Sequence, residues 1–425
     1  MERADFRLSD IKCRLWDRVE KDREHITEVC SNLIRIPSVN PPGDTRRISQ
    51  FLEDYLKGKG VRCGSLGPDD IHISLTGEVG TGPRRLIFNG HTDVVPVGDE
   101  ARWEFDPFSG VVRDGMILGR GASDMKCGVA GMAYAAGLLA EVEDGLAGTL
   151  VLSFVADEET GGNMGARWLI EKSDLTGDAC LIGEPTLVNE MTIGQKGALW
   201  LRLKAKGVPA HGSLSPFVGE NAIMKLVGVL SRICDVTRLR GDIPAEATRI
   251  MNDSKALARV VLGASGAEQV LDHATVNVGT IRGGDKANIV ADWAEADVDI
   301  RVPIGLTTGR VLDEVSRIID GAGGGIDYEI LWRSEPNYTA PESDLVQSVA
   351  GNARLLTPGP FTPTFQWASS DARLFRSAGI PTAQYGPAVL SGIHSYNEKV
   401  AVDDVITCTK VYIGVALDFL WPSGD

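Results

Sequence analysis

Three short apolar runs constrain this chain more than any other feature, because each is uninterrupted and stops at a residue with an acidic or imidazole side chain. Residues 86–88, 149–156 and 179–182 lack the polar alternation of a half-exposed strand. They suit strands buried on both faces, as in a parallel sheet covered by helices. LIFNG runs into His91, LVLSFVA into Asp157, Glu158 and Glu159, and ACLIG into Glu184. Each polar group thus follows the carboxyl end of its strand, where open α/β sheets place their sites.

Two further motifs join these three. Asp124, in GASDMKCG, leads a helix of small residues, and His394 lies in GIHSYNE. Together the five motifs supply two imidazoles and several carboxylates, a donor set typical of two divalent metals that activate one water. A hydrolase is the leading reading. Neither a G-x-S-x-G elbow nor a phosphate-binding P-loop is present, and the glycines of TGGNMGA lack the dinucleotide spacing.

Around these motifs the chain alternates helical and strand patterns. Ile48, Phe51, Leu52, Tyr55 and Leu56 form one apolar helical stripe that Gly60 can end. From about 195 to 334 the pattern changes. ALWLRLKA, TVNVGTI and ADVDIRV alternate, while Ile223, Leu226, Val227, Leu230 and Ile233, and then Val311, Leu312, Val315, Ile318 and Ile319, form helical stripes. With DYEILW the order is β-α-β-β-α-β, the ferredoxin-like split motif. The expected architecture is α/β: a catalytic metal-binding domain with a mostly parallel central sheet over 1–194 and 335–425, and an inserted domain over 195–334.

The 425 residues are consistent with two domains. A net charge of −15 argues against nucleic acid, which needs a concentrated positive surface. No apolar run is long enough to span a membrane. The charged N-terminal stretch and seven scattered cysteines without C-x-x-C point to a reducing, cytoplasmic setting.

The motifs, together with IRIPSVNPPGD near residue 36, resemble the dinuclear metallopeptidase family that includes acetylornithine deacetylase, succinyl-diaminopimelate desuccinylase, aminoacylase and carboxypeptidase G. The resemblance spans nearly the whole chain, with all five motifs in the family order. It implies two divalent metal ions per subunit, zinc or else manganese or cobalt, with Asp124 bridging them. His91 and Glu184 would hold one ion, and Glu159 and His394 the other. Glu158 would be the general base, and Asp93 the carboxylate that orients the His91 imidazole. It also implies a cis peptide at Asp124–Met125. The inserted domain would serve as lid and homodimer interface, with His211 in GVPAHGSLSP entering the neighbouring subunit's site to steady the oxyanion. Asn288, Arg301 and Arg373 match positions associated with binding a carboxylate-bearing small substrate.

Some residues keep competing readings. Arg301 shares a strand face with Asp297 and Asp299, so an ion pair competes with substrate binding. Asn288 can cap a turn, and His211 can stand exposed without a role. The desuccinylase pattern carries paired arginines where this chain has Gln195 and Lys196, which weakens dicarboxylate recognition, although Lys196 can still pair with one carboxylate. The expected reaction is amide hydrolysis of an N-acyl amino acid or small peptide. The alternatives are an aminohydrolase that releases ammonia from an aromatic or cyclic amino acid, and a catalytically silent binding relative.

Overall fold

A computed structural model describes residues 8–173 and 175–422, which divide into two units. The first comprises the described residues through Ile193, then Thr339–Pro363 and those from Ser370 onward. Its large sheet runs in the order Arg62–Leu66, Ser74–Gly80, Gly148–Val155, Arg84–His91, Ala179–Ile182, Thr382–Gln384 and Glu190–Gln195. The central pairings are parallel, and the flanking ones antiparallel. The three apolar runs therefore lie side by side at the heart of the sheet. His91 pairs with Val155 and Asn89 with Ile182, so all three strands end at one edge.

The helices cover this sheet as their sequences dictate. Arg46–Gly58 buries Ile48, Leu52 and Leu56 along one stripe, and the chain turns away at Gly60 with φ of 81°. Cys127–Ala140 is apolar on every side and buried along nearly its whole length. Its small residues permit close contact: a Cβ on Gly128 would stand 2.2 Å from the carbonyl oxygen of Gly183, and one on Gly131 would stand 2.7 Å from Thr409 Oγ1.

The second unit comprises Gly194–Tyr338 together with Thr364–Ser369. Its four-stranded antiparallel sheet has the order Thr275–Gly283, Trp293–Val302, Gly197–Lys206, Ile326–Ser334. Leu199, Leu201, Leu203 and Ala205 alternate into one core with Ala294, Ala296, Val298 and Ile300. Helices Ala222–Ile233 and Thr308–Asp320 pack on that face.

Three details differ from the sequence reading. In Ala222–Ile233, Val229 is buried and Val227 is exposed, because the buried stripe runs through Ala222, Leu226, Val229 and Ile233. A helix at Thr248–Leu262 was not expected, since its buried stripe includes Ser254 and Ala258, which carry little apolar signal. Ser254 satisfies its hydroxyl by donating to Ile250 O at 2.6 Å and accepting from Phe365 N at 2.8 Å. Through such contacts Thr364–Ser369 belongs to the second unit, whereas its sequence sits among residues of the first.

Gly128→Ala tests the helix–strand contact. The added methyl must displace the backbone just before Glu184, costing about 1–3 kcal/mol of stability. Thermal unfolding should show a lower midpoint; an unchanged midpoint would mean that the helix and the strand end are not in close contact.

Candidate metal centre

The strand ends supply most of the site. His91, 2% exposed, places Nδ1 at 2.9 Å from the backbone carbonyl of Asp93. With that nitrogen as donor, Nε2 turns toward Asp124 Oδ1 at 3.0 Å and Glu184 Oε1 at 4.0 Å. The Asp93 carboxylate lies 3.6 Å from Nδ1, so it acts on the imidazole through charge while its carbonyl makes the hydrogen bond. The carboxylate has another task. It accepts from the backbone N–H groups of Glu158 and Glu159, each at 3.2 Å, and from Asn40 Nδ2 at 2.9 Å.

The acidic triplet forms a tight turn. Asp157 adopts φ of 69°, a conformation that aspartate tolerates better than most side chains. Its carboxylate accepts from Met164 N at 2.9 Å, from Asn40 Nδ2 at 3.3 Å and from the Thr160 hydroxyl. Gly162 follows with φ of 71°, where a Cβ would fall 2.2 Å from Asp371 Oδ1. Asn40 thus bridges Asp93 and Asp157, the two carboxylates that shape the turn carrying Glu158 and Glu159. Sequence reasoning used its motif only for the resemblance; nothing in NPP reveals contacts with residues 53 and 117 positions away.

Asp124 lies between the two imidazoles, and the Asp124–Met125 peptide is cis. Its Oδ2 is 3.3 Å from His394 Nε2, which is also 3.1 Å from Glu159 Oε2. Donor atoms of His91, Asp124 and Glu159 lie within 4.8 Å of one another, as do those of His91, Glu158 and Glu184. The structure therefore gathers His91, Asp124, Glu159, Glu184 and His394 in one unit. It also puts Glu158 within reach of a metal, so proximity alone does not separate the two adjacent glutamates.

Charge explains what such a site requires. Burial drives Glu184 up to about 8, with the Asp124 charge adding to it, and burial lifts Glu158 well above the carboxylate range. Hydrogen bonds to Asp124 and Glu159 raise His394 to about 10. Burial opposes protonation of His91, yet the neighbouring carboxylates of Asp124, Asp93 and Glu184 hold it well above its usual value. Asp371 is buried with both oxygens lacking a hydrogen-bond partner, and burial raises it to about 6. Protons thus stand where positive charge is needed, and a set of imidazole and carboxylate donors this close together fits two divalent cations.

The other candidates have different surroundings. Arg373 is buried and donates to the carbonyls of Ser370 and Gly161, each at 2.6 Å, so its guanidinium braces the loop after Glu159. Lys196, expected to meet a substrate carboxylate, is 2% exposed. Its ammonium donates to Val270 O, His273 O and Thr275 Oγ1 at 2.6, 2.8 and 3.3 Å, which uses all three of its protons internally. In the second unit Arg301 pairs with Asp299 at 2.9 Å, the competing reading of that strand. His211 is exposed, with Nδ1 2.8 Å from Ser213 Oγ, and Asn288 is exposed with its carbonyl accepting from Gly212 N.

Comparison with known proteins adds an independent line. The family model described as peptidase family M20/M25/M40 matches residues 87–418. A succinyl-diaminopimelate desuccinylase of Cereibacter sphaeroides is 30% identical over 403 residues, covering 92% of this chain and 97% of that protein. Two solved structures share the fold. The M20 family metallo-carboxypeptidase of Sulfolobus solfataricus has a TM-score of 0.75 at 20% identity, covering 93% of this chain and 98% of that one. The dipeptidase Dug1p of Saccharomyces cerevisiae has a TM-score of 0.75 at 15% identity, covering 96% and 98%.

Because Glu184 near 8 and His394 near 10 hold protons at neutral pH, a metal must displace them. Both groups lose their protons as pH rises, so affinity should increase from pH 6 to 9. Chelator competition on metal-free protein measures this, and a flat profile would mean that these groups are not ligands.

Proposed function

The chain belongs to peptidase family M20/M25/M40 and is a metal-dependent hydrolase of small amide substrates; within that class we propose an enzyme that removes an N-acyl group from an amino acid or cleaves a short peptide. The observation that carries this reading is the gathering of His91, Asp124, Glu159, Glu184 and His394, with Glu158 beside His91 and Glu184. Two divalent ions held by the five ligands would polarise the carbonyl and lower the pKa of water.

Glu158 then takes a proton from water as its oxygen attacks the amide carbon, and delivers it to the nitrogen as the C–N bond breaks. The products are a carboxylic acid and an amine. Asp93 and Asn40 fix the backbone that aims Glu158, and Arg373 braces the loop behind it. The reading also takes from the resemblance a homodimer built through the second unit, in which His211 of one copy steadies the oxyanion in the other and Asn288 and Arg301 meet the substrate. Seven free cysteines accord with the cytoplasm.

The succinyl group named for the relatives is not carried over. A second carboxylate would need a cation near Gln195 and Lys196, and Lys196 already spends its donors on Val270, His273 and Thr275. A monocarboxylate substrate is the better match.

Incubating metal-loaded protein with N-acyl amino acids, dipeptides and amino-substituted aromatic acids, with mass spectrometry as readout, tests the reaction. Loss of an acyl or aminoacyl unit is expected; exchange of an amino group for hydroxyl with release of ammonia would sink the proposal. Glu158→Ala should keep both ions and lose about 100- to 10,000-fold in kcat. If it loses an ion instead, Glu158 is a ligand and the base lies elsewhere.

A further inference from the structure

A small sheet of Val111–Arg113, Met116–Leu118 and Lys399–Ala401 brings the end of the His394 motif beside the approach to Asp124. The residue at the junction is Glu398, 1% exposed, to which the sequence reading assigned nothing. Its Oε1 accepts from the backbone N–H groups of Ser123 at 2.9 Å and Asp124 at 3.1 Å. Its Oε2 lies 2.6 Å from Arg120 Nη1. The Glu398 carbonyl accepts from Gly119 N at 3.0 Å, and the Ser123 hydroxyl donates to Lys399 O at 2.8 Å.

A second layer holds this clamp in place. The Arg120 guanidinium stands 5.1 Å over the Trp103 ring, and Trp103 meets Tyr396 edge-on at 6.2 Å. Asn397, with φ of 60°, accepts from Glu104 N at 2.7 Å. The segment from His394 to Glu398 is thereby tied to residues 103, 104 and 119–124 at several points.

A buried ion pair is weak evidence of stability, because desolvating two charges offsets most of their attraction. What Glu398 supplies beyond charge is geometry. Its carboxylate joins two amides of the turn that bears one candidate ligand, and its own backbone belongs to the loop that bears another.

We propose that Glu398, anchored by Arg120, is a positioning residue that clamps the Ser123–Asp124 turn to the His394 loop and so keeps the Asp124 carboxylate between His91 and His394. The inference rests on the dinuclear reading above. Glu398 touches neither substrate nor reacting atoms; it acts through Asp124.

The test compares metal-free wild type, Glu398→Ala and Glu398→Gln, titrated with Zn(II) against a chromophoric chelator, with circular dichroism and thermal unfolding alongside. Wild type should bind two ions. Glu398→Ala should stay folded and keep one ion, with the other weakened about 10- to 100-fold, the usual effect of removing an outer-shell partner. Glu398→Gln keeps one acceptor for the amides but turns an amide NH2 toward Arg120, so it should fall between the two. If Glu398→Ala binds both ions as wild type does, even with a lower unfolding midpoint, the residue is structural only and the inference is overturned. Should that variant fail to fold, wild-type affinity in Glu398→Gln overturns it equally. Failure of wild type to bind a pair of ions would instead sink the dinuclear reading, and the inference with it.

Discussion

Repulsion between buried carboxylates is the constraint on which the rest of this site depends. Asp124, Glu158, Glu159, Glu184 and Asp371 are buried close enough together for charge on one to act on another, with His91 and His394 as opposing groups. Charges held out of water at such density persist only when paired, hydrogen-bonded or neutralised. The neighbouring structure reflects this. Asn40 spends its amide on two carboxylates, Asp93 receives two backbone N–H groups, and Glu398 receives two more together with a guanidinium. What these donors leave unneutralised is what two divalent ions would supply.

Backbone register makes the crowding possible. Parallel pairing brings His91, the Asp157–Glu159 turn and Glu184 to one edge, and the close seat of Gly128 against Gly183 holds the helix after Asp124 over the same edge. Three segments bearing candidate ligands are thus delivered by the sheet itself, and Asp124 by the helix packed on it. His394 arrives differently, on a loop fastened through Glu398 and a three-stranded sheet. Its position depends on side-chain chemistry rather than on the central sheet, and it is more exposed than the other candidate ligands.

Cations show how burial reassigns residues that look available in sequence. Lys196 and Arg373 are charged and sit near the expected site motifs, yet both are 2–3% exposed and direct their donors at backbone carbonyls. A buried charge must satisfy its donors within the protein, so neither is free to greet a ligand. In the second unit Arg301 faces Asp299, two residues away on the same strand face. Sequence reports that a charge is present; which partner consumes it depends on atoms that are distant along the chain.

The sequence by itself determined the class of fold, the ferredoxin-like pattern of the second unit and the identity of the clustered donors. The fold class and the ferredoxin-like pattern are written in local periodicity, three donor segments in the residues that close the apolar runs, and the full donor set in the resemblance of the motifs to a known family. Tertiary structure alone decided that the Asp93 carbonyl rather than its carboxylate bonds His91, that Asn40 and Glu398 hold the two ligand-bearing turns, and that Thr364–Ser369 folds with the second unit. The physical reason is common to all three. Each depends on hydrogen bonds and packing between groups tens to hundreds of residues apart, or on whether a residue's carbonyl or its carboxylate faces a ring, and neither leaves a trace in periodicity.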